Sequence, residues 1–192
     1  MTKRWTKWMV MAAALLAAPV MAATGPSEDV LGRPVPADDG RPTLVIYTNR
    51  STESSLGEYA LPMLYELREE NPRVVVKVDM RDIPGLFHGV ARGKIKQGYH
   101  DSLRDMQQLF VAKGEPAPKD MGKQFFLVAD AKGESHQSVG LEKGFDVPVV
   151  QAFGADGREL ARGALPKVGD KIQRALSADH ELASNASGGS AR

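Results

Sequence analysis

Two hydroxyls stand close together in YTNRSTESS, residues 47–55, where Ser51 and Ser54 form an S-x-x-S. The apolar run before this stretch reads as a strand and the pattern after it as a helix. The hydroxyls and the first N–H groups of that helix can together hold an anion or a carboxylate. A nucleophilic serine would need a His or Lys in reach, and the neighbouring sequence supplies neither, nor a G-x-S-x-G elbow. Capping of the helix is the simpler use of the same residues. The chain has no cysteine, which removes disulfides, thiolate nucleophiles and thiolate metal sites together.

The other chemistry-bearing groups are sparse. His88, Arg92, Lys94, Lys96, His100 and Arg104 form a basic run in which Arg92, Lys94 and Lys96 are candidate anion ligands; a solvated helix face is the favoured explanation, since a charge run usually is one. His88, His100 and His136 lack the i, i+4 spacing of a paired helical metal site, so no metal ligand is assigned and no cofactor is expected. Gly85, Gly89 and Gly93 recur every four residues, which reads as close packing or a broken helix. Arg92, Lys94 and Lys96 rule out a membrane dimer motif there.

These residues need positioning elements. Residues 43–48 (TLVIYT) form a short apolar run between breakers, a buried strand. Residues 54–71 have helical spacing, with Ser55 and Glu58 as a capping box and Pro62 as a kink. Residues 73–80 (RVVVKVDM) and 123–130 (KQFFLVAD) are two more strands, separated by a helical pattern over 83–114 that firms up after Asp101. Residues 147–165 read as a hairpin around Asp156-Gly157, and 166–177 as a closing helix with Val168, Ile172 and Leu176 on one stripe. The order predicts an α/β domain of three layers, a mixed central sheet with helices on both faces; residues 44–47, 74–79 and 125–128 are expected in its middle.

The ends read differently. Residues 1–8 carry Lys3, Arg4 and Lys7 and no acid, and the apolar run 9–22 is shorter than the roughly 20 residues that span a bilayer. Residues 1–22 therefore predict a signal peptide, with cleavage after Ala22 or Ala23. Its removal takes three of the 25 basic residues and none of the 24 acidic, leaving 22 against 24, a balance that gives no reason to expect nucleic acid or an anionic membrane as partner, and no membrane insertion is expected after cleavage. The remaining plan is an irregular lead-in over 23–40, one domain over 41–178 and a disordered tail over 179–192.

Several of these residues resemble the thioredoxin-like superfamily, in its redoxin or TlpA-like branch. FFLVAD-AKG leads through VGLEKGFDVPVVQAFGADGRELARGAL in the order strand, D-x-x-G turn, short helix, X-Pro, strand and D-G hairpin, and LGRPVP with DGRPTLVIY resembles the redoxin lead-in. The DIPGLF segment and DGREL…GALPK look like the YtfJ-type family of exported proteins. The resemblance covers roughly residues 30–177. It implies a thioredoxin-like fold, puts Ser51 and Ser54 on the two positions of C-x-x-C, and makes Val147-Pro148 a cis bond beside them. Asp146, Val147 and Pro148 then join Ser51 and Ser54 as candidate partner-binding residues.

Without cysteine, the family's thiol-disulfide or peroxidase activity does not carry over, nor does the thiolate copper site of some relatives. The expectation is an exported, periplasmic, soluble binding or accessory module with a protein or peptide partner and no catalytic residue. The alternatives are a metal- or serine-dependent hydrolase on the same scaffold, or a protein kept for a structural partnership.

Overall fold

The computed structural model describes residues 28–36 and 39–188. The expected signal peptide and the last four residues lie outside the described residues. Five strands, β1 (Thr43–Thr48), β2 (Arg73–Asp79), β3 (Phe125–Asp130), β4 (Val149–Phe153) and β5 (Glu159–Ala164), form one sheet in the order β3-β2-β1-β4-β5. β1, β2 and β3 run parallel, and β4 and β5 are antiparallel additions on the other side of β1. This mixed sheet with its crossover helices is a thioredoxin-like α/β fold.

β1 is central and β2 interior, as expected, but β3 is an edge strand rather than a middle one. It is nonetheless buried from Phe126 to Asp130 because the lead-in lies along it. Val30 donates its N–H to the Leu127 carbonyl at 2.8 Å, and the Arg33 guanidinium bonds the carbonyls of Gly122 and Phe125 at 2.6 Å each while pairing with buried Asp29. The lead-in has no regular secondary structure, yet it covers the exposed ladder of an edge.

Alternation sorts the strand residues onto two faces. Leu44, Ile46, Val74, Val76, Leu127, Val150, Ala152 and Ala161 belong to the main core, with Ala60, Met63 and Leu67 of the first helical segment, Tyr99 of α3 (His88–Ala112) and Ile172 and Leu176 of α6 (Gly169–Gly188). On the opposite face Val45, Val75, Phe126 and Val128 make a smaller cluster with Val35 of the lead-in. Further along that face the side chains turn polar: Tyr47, Lys77, Asp130, Gln151 and Arg162. The short α5 (Glu134–Ser138) lies at that end, its buried His136 edge-on to Tyr47.

The first helical segment begins earlier than expected. α1 (Glu53–Ser55) runs through a π-helical stretch (Leu56–Ala60) into α2 (Leu61–Glu66). Ser55 is inside the helical path and makes no capping bond, so the Ser55–Glu58 box does not form. Pro62 lacks an N–H and crowds the carbonyl four residues back, and the wider π-helical turn lies just before it. α3 is one continuous helix from His88, and a Cβ built at Gly85, Gly89, Gly93 or Gly98 would meet nothing within 4 Å. These glycines therefore mark neither close packing nor a break. A four-residue helix α4 (Met121–Gln124) precedes β3. α6 starts at Gly169, after a turn with a cis Leu165–Pro166 bond, and runs on to Gly188, past the expected end of order at 178.

Candidate functional site

Asn49, at the end of β1, organises the turn that carries the two serines. Its Oδ1 accepts the Ser51 N–H at 2.9 Å, the Ser51 hydroxyl at 2.7 Å and the Thr52 N–H at 3.0 Å. An Asn side chain so placed mimics a backbone turn and satisfies N–H groups ahead of a helix. Its Nδ2 reaches across to donate to the Phe145 carbonyl at 2.7 Å, and the Ser51 hydroxyl lies 3.4 Å from the same oxygen. Buried Thr52 ties the turn from below, its Oγ1 accepting the Asn49 N–H at 3.0 Å and meeting the Thr48 hydroxyl at 2.9 Å.

The structure thus joins the Ser51 turn to the Phe145 carbonyl, just ahead of residues 146–148. Ser51, Ser54, Asp146 and Val147 are exposed on these two segments, Val147 by 41 %. Pro148 is fully buried, however, and the Val147–Pro148 bond is trans. The Pro148 carbonyl accepts the Leu165 N–H at 2.9 Å, so it is occupied by the chain itself. β4 is an interior strand of the sheet, which leaves no free ladder there for an added strand.

Beneath the turn lies a cluster that sequence reasoning did not single out. Asp130 Oδ2 accepts from the Ser135 N–H at 2.9 Å and the His136 N–H at 3.3 Å and is 2.9 Å from His136 Nδ1, while Oδ1 accepts the Glu134 N–H at 3.1 Å. Burial alone would raise the Asp130 carboxyl; the bond to His136, that ring's charge and the backbone donors outweigh it and hold the group below its ordinary range. His136 Nε2 lies 3.3 Å from the Thr48 carbonyl, so both ring nitrogens face acceptors. His136 and Asp130 have relative exposures of 0 % and 1 %, which makes the pair part of the framework under the turn rather than a reactive group open to solvent. Gly133 closes the D-x-x-G turn at φ +71°, where a Cβ would strike the Arg81 side chain that Asp79 holds.

Tyr47 completes this end of the sheet. Its hydroxyl donates to Gln151 Oε1 at 2.7 Å, Gln151 donates to Glu159 at 2.9 Å, and Glu159 pairs with Arg162 at 2.7 Å. Burial pushes the Tyr47 phenol up to about 12, with Arg162 working against it and the Glu159 and Asp130 carboxylates adding to it. Burial likewise draws Lys77 below its ordinary range, opposed by Asp130, and its ammonium lies 5.8 Å from the Tyr47 ring centre.

No hydrogen bond joins Ser51 or Ser54 to a histidine or carboxylate among the described residues. Arg92, Lys94 and Lys96 are exposed on α3 and make no hydrogen bond to the turn. Among the described residues no group of three His, Asp or Glu side chains is arranged to hold a metal ion, and no helix is long and apolar enough to cross a membrane. Asn49 and His136 were findable in part: Asn before a helix is a capping signal, and His136 follows the D-x-x-G turn. Their burial and mutual reach were not.

No protein-family model matches the chain, and comparison with curated proteins finds no match. Among solved structures, it is similar to a secreted Mycobacterium tuberculosis disulfide oxidoreductase homologous to E. coli DsbE: 15 % identity over 82 % of this chain and 96 % of that one, TM-score 0.47. StoA from Bacillus subtilis is similar at 12 % identity over 83 % and 98 % of the two chains, TM-score 0.46. BsSco, of the Sco family of cytochrome c oxidase assembly proteins, is similar at 10 % identity over 83 % and 96 %, TM-score 0.47. Likeness at this level says nothing of the chemistry of this chain.

Proposed function

We propose that this chain is an exported binding or accessory module without redox turnover, of the YtfJ-like kind, which takes a protein or peptide partner in the periplasm at the rim formed by Ser51, Ser54, Asp146 and Val147. The carrying observation is the Asn49 amide, which donates to the Phe145 carbonyl at 2.7 Å and locks the two segments into one surface. That surface offers exposed hydroxyls, one carboxylate and one apolar side chain on a pre-organised base. Pre-organisation of this kind lowers the ordering cost of binding. Because the Pro148 carbonyl is already bonded, recognition at this rim uses side chains and not strand addition.

Two measurements test this reading. Amide resonances followed during titration with an unfolded, carboxymethylated polypeptide should shift at 50–54 and 145–147 and stay still on α6; shifts confined to other surfaces would exclude the rim. The double change Ser51→Cys with Ser54→Cys tests the alignment on a dithiol turn. The pair should oxidise and show a reductant-dependent mobility shift, since a disulfide requires Cα atoms about 4.4–6.8 Å apart. Two free thiols that persist under oxidant would show that this turn does not correspond to C-x-x-C.

A further inference from the structure

A cavity of about 90 Å³ lies between α2, α3 and the segment that leads into β3, at the far end of the sheet from the rim. Asn71, Pro72 and Val74 of its lining sit at the start of β2 and Phe125 at the start of β3. The Ser51 turn follows the end of β1, and the three strands run parallel. The cavity marks the seam between two apolar clusters. Leu64 packs on both the main core and the Tyr65, Met106 and Phe110 cluster, and the gap is what remains between them. Protein interiors otherwise leave few voids larger than a water molecule.

The lining is apolar inside and neutral-polar at the mouth. Val74, Met106 and Phe110 are buried and form the floor, while Asn71 is exposed and Ser102 and Gln124 are half-buried. Arg68 is the one charged side chain in the lining. Its guanidinium already holds Glu115 at 2.9 and 3.1 Å and the Tyr65 carbonyl at 3.2 Å. No uncompensated charge is left to meet an ion, so a charged group entering the cavity would lose its hydration without gaining a partner. The Ser102 hydroxyl and the Asn71 and Gln124 side-chain amides make no hydrogen bond among the described residues. An amide side chain carries two donor hydrogens and an acceptor oxygen, which match the C=O and N–H of a peptide unit.

We infer that this cavity is an anchor pocket for a leucine side chain of an extended peptide, whose flanking peptide units meet Gln124, Asn71 and Ser102. Size selects the residue. An apolar cavity of about 150 Å³ in another protein takes benzene, six carbons, so in proportion this one takes about four, the isobutyl group of leucine. Met106 and Met121 give the walls unbranched, adaptable side chains that close around a branched group. The neutral lining argues against an ionic ligand, and the unpaired amides at the mouth argue against a bare hydrocarbon. The inference rests on this cavity alone and is independent of the rim.

The full chain, isotopically labelled at its methionine methyls, reports on the pocket directly. In a titration with N-acetyl-L-leucinamide, the Met106 and Met121 methyl resonances should move, and that of Met80, buried at the other end of β2, should stay still. N-acetylglycinamide, which lacks the side chain, should bind about ten-fold more weakly or worse. Isobutanol, which lacks the peptide units, should be weaker by about five-fold. Gln124→Ala should weaken the leucinamide by about five-fold and leave isobutanol unchanged. Ser102→Phe, which sets a ring at the mouth, should abolish the shifts, and circular dichroism confirms that both variants fold. Methyls at 106 and 121 that do not move up to the solubility of the leucinamide would mean that the pocket stays empty. Equal binding of the glycinamide would remove the side chain as anchor, and equal binding of isobutanol, or an unchanged Gln124→Ala, would remove the peptide. A folded Ser102→Phe that keeps the shifts would place the ligand elsewhere. Each of these outcomes overturns the inference.

Discussion

Asp130→Asn is the most incisive test of the framework under the turn. The change keeps the side chain's shape but replaces one oxygen by an NH2 group. In wild type Oδ2 faces the N–H groups of Ser135 and His136 and the Nδ1 of His136, all buried. Whichever way the amide turns, it sets a donor against donors or abandons the Glu134 N–H on Oδ1. Each charge-assisted bond contributes about 1.5–3 kcal/mol net, and removing one partner of a buried pair costs about 3–5 kcal/mol. The bonds share one carboxylate and are not additive, so the expected loss at pH 7 is about 3–5 kcal/mol, a large part of a typical domain's 5–15 kcal/mol. Urea unfolding followed by circular dichroism measures it as a fall in midpoint at unchanged slope. The sign with pH is fixed: the folded carboxyl titrates below its unfolded value of about 3.9, so its contribution is full above that value and fades as pH falls through the lower, folded one. The difference between wild type and variant should therefore shrink below about pH 4. A loss under about 1 kcal/mol at pH 7, or a difference that does not shrink in acid, would refute the assignment of Asp130 as the anionic acceptor of this cluster.

Other perturbations follow from the same geometry. Asn49→Ala should cost about 2 kcal/mol by orphaning the Thr52 N–H and the Phe145 carbonyl, and should raise amide exchange at 145–147; unchanged exchange there would show that the bond does not hold the loop. In an alkaline titration read at 295 nm, Tyr47 should ionise last, near pH 12, and Tyr47→Phe should remove that final step. Because its folded value is raised, the stabilisation is complete below about pH 10 and is lost as pH rises through 12; a wild-type curve with every phenol near 10 would contradict the burial argument.

The elements were largely legible because local patterns determine them. The runs 43–48 and 73–79 carry apolar β-formers at both parities, and both became buried strands. Asp156-Gly157 specified its hairpin, with Gly157 at φ +76°. Where sequence reading missed, a competing interaction decided. Ser55–Glu58 had the capping pattern, but Asn49 started the turn first. Glycines that lower helix propensity did not break α3, because packing of Ile95, Tyr99 and Leu103 outweighs about 1 kcal/mol per glycine. β3 took the edge because the Arg33 clamp could cover it, and the role of that side chain depends on carbonyls 89 and 92 residues away.

By itself the sequence determined the α/β class, the strand and helix order, the absence of thiol chemistry and the proximity, through resemblance, of residues 51–54 and 146–148. The class, the element order and the missing thiols follow from composition and from periodicities of two and 3.6, which need only neighbours along the chain; the proximity of the two loops is what the resemblance implies. Only the tertiary structure decided that Asn49 joins the two loops, that Pro148 is buried in a trans bond, that Asp130 and His136 form one buried pair, and that a gap floored by Val74, Met106 and Phe110 remains between two apolar clusters. Each of those depends on which distant groups exclude water from a given atom, and burial of that kind exists only once the sheet and its helices have closed around it.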